Sequence, residues 1–425
     1  MKNTVVYLIL MGSIVGFNAC KNPEAIYEDF VIPSGMIYPG PALNPVVKPG
    51  DNRIEVSWNR GTDPRVVKAR IFWNNYTDSA EVDVAANVET VSRIIHPIPE
   101  NDYSFLIHTY DVDWNRSIAT EVMGKVYGDR YRNTLSNRVL KSALFDGQYL
   151  LLNWHVAINS VTGTSVSYTN LQGKEVTVQV EPSDIETLIE DFDNSKPLSY
   201  VTMHKPDSTA IDDFFTQAIA TMVEPMEPSE ISKNTWRMLN PSLPTDLGPQ
   251  SSYPMTGLWN NNIDEIGFHP ATGSTLPVWF TFDVGAYFVP SRIKLWPRGD
   301  SYAADDIWQQ GHIKEFEVYG SLNPNPDGSW DDSWKLLGQF EWPTPDGKVF
   351  NTTSDITAAD RTFARQGMEF EFVTTPFADP SVAVRYIRIK VLSKHSVSNQ
   401  GNAATTSRFM IAELSLWGIR SLKVE

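Results

Sequence analysis

One cysteine, Cys20, serves a chain of 425 residues. No disulfide can form within the chain, and the obvious chemical use of the thiol is acylation. Long hydrophobic runs are missing too. The apolar stretch from Val5 to Val15 falls short of the roughly 20 residues a helix needs to cross a bilayer. Basic residues are few, 35 Lys and Arg against 51 Asp and Glu, which leaves a net charge of -16. Neutralising a phosphate backbone requires clustered Lys and Arg, and none appears, so a nucleic-acid partner is excluded. There is no helical period of useful length and no Gly-rich phosphate loop, zinc motif or nucleophile elbow. Carboxylates are plentiful, but no spacing isolates an acid–base pair of the kind glycoside hydrolysis needs. The expectation is a protein that is not an enzyme and requires no cofactor.

What is present begins with Lys2, the short apolar stretch, and Gly16-Phe17-Asn18-Ala19-Cys20. Residues 1–19 read as a signal peptide. The small residues before the cysteine resemble the lipobox of bacterial lipoproteins, in which the thiol carries diacylglycerol and the new amine is acylated. That resemblance makes Cys20 the lipidation site and the membrane a partner through the lipid anchor, several acyl chains together giving stable attachment. Residues 20–37, with Pro23 and Pro33, read as an extended tether.

From residue 38 to 135, short alternating runs such as Ile54-Glu55-Val56-Ser57-Trp58 and Tyr103-Ser104-Phe105-Leu106-Ile107 are separated by turn residues. These predict half-buried strands of a β-sandwich. With Trp58 on the second strand and Tyr103 placed to tie a corner by its hydroxyl, the stretch resembles a fibronectin type III module. The same grammar over 136–222, with Trp154 in the place of Trp58, predicts a second such sandwich. The pattern around Asp113-Trp114-Asn115-Arg116-Ser117 and the run from Glu121 to Tyr131 resembles uncharacterised Bacteroidota lipoproteins of glycan-utilisation loci. Prolines 225, 228, 241, 244 and 249 mark residues 223–250 as a linker.

Residues 251–425 carry longer strands: the run through Trp279, Glu315 to Ser321, Trp334 to Gly338, Arg385 to Val391 and Ala412 to Gly418. In this order they resemble the discoidin domain, or factor five/eight type C domain, a galactose-binding-like jelly roll shared with family-32 carbohydrate-binding modules. The fold class expected is therefore all-β, three sandwiches in tandem. The resemblance implies ligands in loops at one end of the sandwich, where C–H faces of a sugar pack on an aromatic ring and hydroxyls meet Arg, Asn and Asp.

Two loops have that composition, one holding Trp259 and His269, the other Arg298, Tyr302, Asp306 and Trp308, with His312 beyond it. Trp308 reads either as a sugar platform or as an aromatic folded over the sandwich end. Arg298 reads as a hydroxyl donor or as the partner of Asp300 or Asp306. Family-32 modules often hold structural calcium, and the positions matching that site are Asn260, Asp264 and Glu413. Oxygen ligands suit calcium, although Asn260-Asn261 replaces the usual Asp-Gly pair and lowers the anionic charge.

These resemblances imply a surface glycan-binding lipoprotein of the outer membrane, capturing a carbohydrate ligand beside a transporter and glycan-binding partner proteins. A surface scaffold whose discoidin-like domain binds a partner protein is the alternative.

Overall fold

The computed structural model describes residues 35, 38–265, 267–298, 307–309, 311–372, 383–397 and 405–423. Cys20, Tyr302 and Asp306 lie outside them. Packing divides the chain into two compact units. The first takes the residues up to Ser136 with Ser160–Thr162 and Met203–Thr216, and the second takes Asn137–Asn159, Gly163–Thr202 and the residues from Gln217 onward.

The first unit holds a β-sandwich. Strands β1 (Leu43–Pro49), β2 (Ile54–Asn59), β3 (Lys68–Trp73), β4 (Asp78–Asp83), β5 (Thr90–Ile95), β6 (Asn101–Tyr110) and β7 (Thr120–Val126) form two sheets, ordered β1-β2-β5 and β4-β3-β6-β7. The period-2 pattern decides which side chains go in. Ile54, Val56 and Trp58 of β2 meet Ile71, Phe105 and Ile107 of the other sheet in one buried cluster. Tyr103 donates its hydroxyl to the Pro99 carbonyl at 2.9 Å, tying the corner as expected.

In the second unit, β8 (Leu140–Phe145), β9 (Leu150–Trp154) and β12 (Glu186–Ile189) form one sheet. Strands β10 (Val161–Thr169), β11 (Glu175–Val180), β13 (Leu198–His204) and β15 (Ile219–Thr221) form the facing one, while β14 (Phe214–Phe215), paired with Met203 and His204, is counted in the first unit. Leu150, Leu152 and Trp154 pack there against Val166, Tyr168 and Tyr200. The residues expected as a single domain over 136–222 are divided between the units. Met203–Thr216 goes with the first because Asp212 accepts from Arg53 Nε at 2.7 Å and from the Asp51 N–H at 2.9 Å. Phe214 sets its ring 5.0 Å from that of Tyr131.

The stretch 223–250 is not a free linker. Its β16 (Ser229–Glu230) pairs with β23 (Ile411–Arg420), and its β17 (Arg237–Met238) pairs with β18 (Val278–Pro297). Ile231 and Trp236 are buried in the C-terminal core. Strands β19 (Ile313–Ser321), β20 (Lys335–Glu341), β21 (Met368–Glu371) and β22 (Val384–Lys394) complete that sandwich.

Two strands read from the sequence, one through Trp279 and one through Trp296, are a single 20-residue strand, β18. Its first half pairs with β22 and its second with β23. Gly285 sits where the partner changes: its φ is +72°, and a Cβ there would lie 2.4 Å from the Thr235 carbonyl oxygen. Glycine alone adopts that conformation without strain or clash. Beside it Asp283, buried, is held by Arg385 Nε at 2.9 Å and Arg237 Nε at 2.8 Å. Burial is the largest influence on its carboxyl and acts upward, but the two guanidinium groups and the Gly285 N–H together leave it below the usual range.

The helix Ala358–Arg365 is also present, although no helical period announces it. Thr357 accepts from the Asp360 N–H, while Asp360 accepts from the Thr357 N–H at 2.9 Å. This reciprocal pair is a capping box, worth about 1 kcal/mol or more to so short a helix.

Candidate ligand cleft of the C-terminal sandwich

At one end of this sandwich Trp308, His312, Trp342 and His395 pack into one cluster. The Trp308 ring lies 4.5 Å from His312 and 4.9 Å from His395, and His312 lies 4.4 Å from Trp342. Trp308 is only 1% exposed. Its backbone N–H donates to His312 Nδ1 at 3.1 Å and its indole N–H to the Asp360 carbonyl at 2.9 Å. His395 Nε2 lies 3.2 Å from the Trp342 carbonyl, which makes that nitrogen the protonated one. Burial lowers the His395 pKa to about 4 and holds His312 well below its ordinary value, so both rings are neutral at neutral pH.

Trp308 is thus the floor of the site and not a sugar platform. A platform must offer a ring face to solvent, and both faces here are committed to packing. The backbone shows why the sequence hid this: Trp308 has φ +60°, outside any strand, so no alternation marks its burial.

Above the cluster opens a cleft of about 610 Å³ lined by Lys314, Glu315, Glu341, Val349, Ser393 and Ser396 among others. Lys314 pairs with Glu341 at 3.4 Å, and the Ser393 hydroxyl donates to Glu315 at 2.5 Å. Lys348, also at the cleft, donates to the buried Asp360 carboxylate at 2.6 Å. That bond, with those from Thr357, holds the Asp360 carboxyl down at about 2. The wall thus alternates ammonium, carboxylate and hydroxyl groups over an aromatic base, an arrangement suited to a ligand rich in hydroxyls. The signal for it in the sequence was the charged, turn-rich run from Glu341 to Lys348, which no motif singled out.

Of the other predicted glycan contacts, Trp259, His269 and Arg298 lie among the described residues. Trp259 ends a short 3₁₀ turn and packs on Trp236 and Phe282, with ring centres 5.9 and 5.5 Å away. His269 is buried, its Nδ1 2.6 Å from the Pro270 carbonyl and its ring stacked on Tyr253. Arg298 is buried as well, with Nη1 3.4 Å from the Met410 sulfur. Burial removes His269 and Arg298 as solvent-facing sugar contacts, while Trp259 is only partly buried and spends its ring on the core.

The positions expected to hold calcium hold an ammonium instead. Glu413, 2% exposed, pairs with Lys233 Nζ at 2.5 Å, and the same nitrogen lies 3.4 Å from Asn261 Oδ1. Asn260 Oδ1 accepts from the Asn262 N–H at 2.9 Å, and Asp264 is exposed. The Asn260 and Asn262 side-chain oxygens face their own backbone, and Lys233 takes Glu413 Oε1 together with Asn261 Oδ1, so this arrangement is built around the ammonium and does not fit the metal. Among the described residues no three His, Cys, Asp or Glu side chains form a metal-holding group.

Comparison with known proteins gives two domain matches. Residues 20–214 match the family DUF4998 and residues 257–418 the family DUF5000, each described as a domain of unknown function. No curated protein matches. Among solved structures, a SusE-like protein is 23% identical over 66% of this chain and 96% of its own, with a TM-score of 0.40. A Bacteroides thetaiotaomicron fragment provisionally assigned as a chitobiase is 16% identical over 47% of this chain and 97% of its own, with a TM-score of 0.31. A two-domain fibronectin type III segment of chicken tenascin is 13% identical, covering 43% and 98%, with a TM-score of 0.19. At such scores the all-β assignment rests on the strands themselves. Among the described residues no helix is long and apolar enough to cross a membrane.

Proposed function

We propose that the chain is a non-catalytic glycan-binding lipoprotein of the outer membrane, displayed at the cell surface by lipid on Cys20. In this reading the β-sandwiches raise the C-terminal discoidin-like domain, which captures polysaccharide for neighbouring transport and hydrolysis proteins. The observation that carries the reading is the C-terminal cleft of about 610 Å³. Its paired Lys314 and Glu341, with Ser393 and Ser396, offer donors and acceptors to sugar hydroxyls. The lipobox around Cys20 supports the location.

Cells producing the full chain should retain fluorescently labelled soluble polysaccharide, and cells producing Cys20→Ser should release the protein and retain none. Equal retention by cells lacking the protein would sink the proposal. A stable complex with an outer-membrane protein, without retention of any polysaccharide, would favour the scaffold instead.

A further inference from the structure

A second aromatic and polar surface lies on the outer face of the sheet formed by β18, β22, β19 and β20. Register places Trp279, Lys390, Glu317 and Gln339 in one row across it, and Thr281, Arg388, Tyr319 and Leu336 in the next. The loop between β19 and β20 folds over these rows and adds Trp330 and Trp334. Trp330 stands 5.3 Å from Trp279 and 4.7 Å from Tyr319, nearly perpendicular to both.

Two of these rings are fixed by hydrogen bonds. The Trp279 indole N–H donates to Thr245 Oγ1 at 3.3 Å, and the Tyr319 hydroxyl donates to Glu317 at 3.0 Å, which also takes Lys390 Nζ at 2.8 Å. The loop is braced by the Thr245 hydroxyl on the Gly328 carbonyl at 2.7 Å and the Ser329 N–H on Asp327 at 2.7 Å.

Trp330 could be no more than a lid on Arg388, which is fully buried and pairs with Asp246. Trp334 already does that work: the guanidinium carbon is 4.0 Å from its ring centre, against 4.7 Å for Trp330. Trp334 is 7% exposed and Trp330 39%. A tryptophan left that open beside a charged pair forgoes much of the burial such a ring ordinarily gains. Rigid, part-open indoles next to hydrogen-bonding groups meet the needs of a pyranose, whose C–H face stacks while its hydroxyls bond at the rim.

We infer that this sheet face is a second saccharide-binding surface, with a pyranose ring stacked on Trp330 and its hydroxyls met by Lys390 and Glu317. The inference rests on the glycan-binding reading and extends it beyond the cleft: Glu317 and Gln339 stand two residues along β19 and β20 from the cleft's Glu315 and Glu341, so that one chain can grip a longer stretch of polysaccharide.

The test is calorimetry on protein starting after Cys20, with hexasaccharides of glucose, xylose, mannose and galactose and their parent polysaccharides. Trp330→Ala should weaken binding about tenfold, one stacked ring's worth, and Trp330→Tyr should restore most of it. Thermal melts check the fold. If Trp330→Ala unfolds the domain, Trp330→Tyr, Glu317→Gln and Lys390→Gln carry the test, the latter two each weakening binding. Wild-type affinity in all folded variants would overturn the second surface while leaving glycan binding intact. No binding by the wild-type protein would remove both.

Discussion

Trp308→Ala should destabilise the C-terminal sandwich by about 3–5 kcal/mol, the usual cost of truncating a fully buried aromatic. In a domain of this size that corresponds to a fall in melting temperature of about 10 °C. The cost has three sources: the cavity left beneath Phe350 and Phe363, the Asp360 carbonyl deprived of its indole donor, and two neutral histidines exposed to water. Calorimetric unfolding checks it. Had Trp308 been a platform, the same variant would melt like the wild type and lose only ligand. Trp308→Phe should fall between the two, because it keeps most of the packing and loses the hydrogen bond to Asp360.

Lys233→Met should cost about 3 kcal/mol at neutral pH, since breaking a buried pair strands its charge. Lys233 and Glu413 are 11% and 2% exposed, so little solvent is available to compensate. The pH dependence has a definite sign. Burial already raises the Glu413 pKa against the opposing pull of Lys233, and removal of the ammonium raises it further. A carboxyl whose folded pKa exceeds its unfolded one is penalised when ionised, so stability falls as pH rises above about 4.3. The deficit of Lys233→Met should therefore be largest near neutrality and shrink on acidification towards pH 4. Adding Glu413→Gln should recover most of the loss. Millimolar calcium should leave the wild-type melting temperature unchanged. A clear rise would return the site to the metal.

Alternation of side chains made much of the fold legible. Trp58 and Trp154 sit at the centres of their cores, and Tyr103 ties its corner. Local patterns failed where burial depends on partners far away in sequence. Ile231 and Trp236, isolated among prolines, look like linker residues until β16 finds β23 and β17 finds β18. Lys233 meets Glu413 across 180 positions, a distance no spacing rule spans. Trp308 reads as a loop tryptophan from the sequence but is buried by an irregular backbone, whereas Trp330, which no pattern singles out, is held half open by its neighbours. The Thr357–Asp360 capping box was a readable signal for the helix, although its eight residues show too little period to announce it.

Titration calorimetry of the protein starting after Cys20 against starch, β-glucan, xylan, mannan, galactan and host glycoprotein glycans tests the capture of polysaccharide most directly. Saturable binding of at least one of them, without release of reducing ends, is the predicted result. Absence of heat with every glycan, or hydrolysis of the one that binds, would contradict a non-catalytic glycan-binding protein.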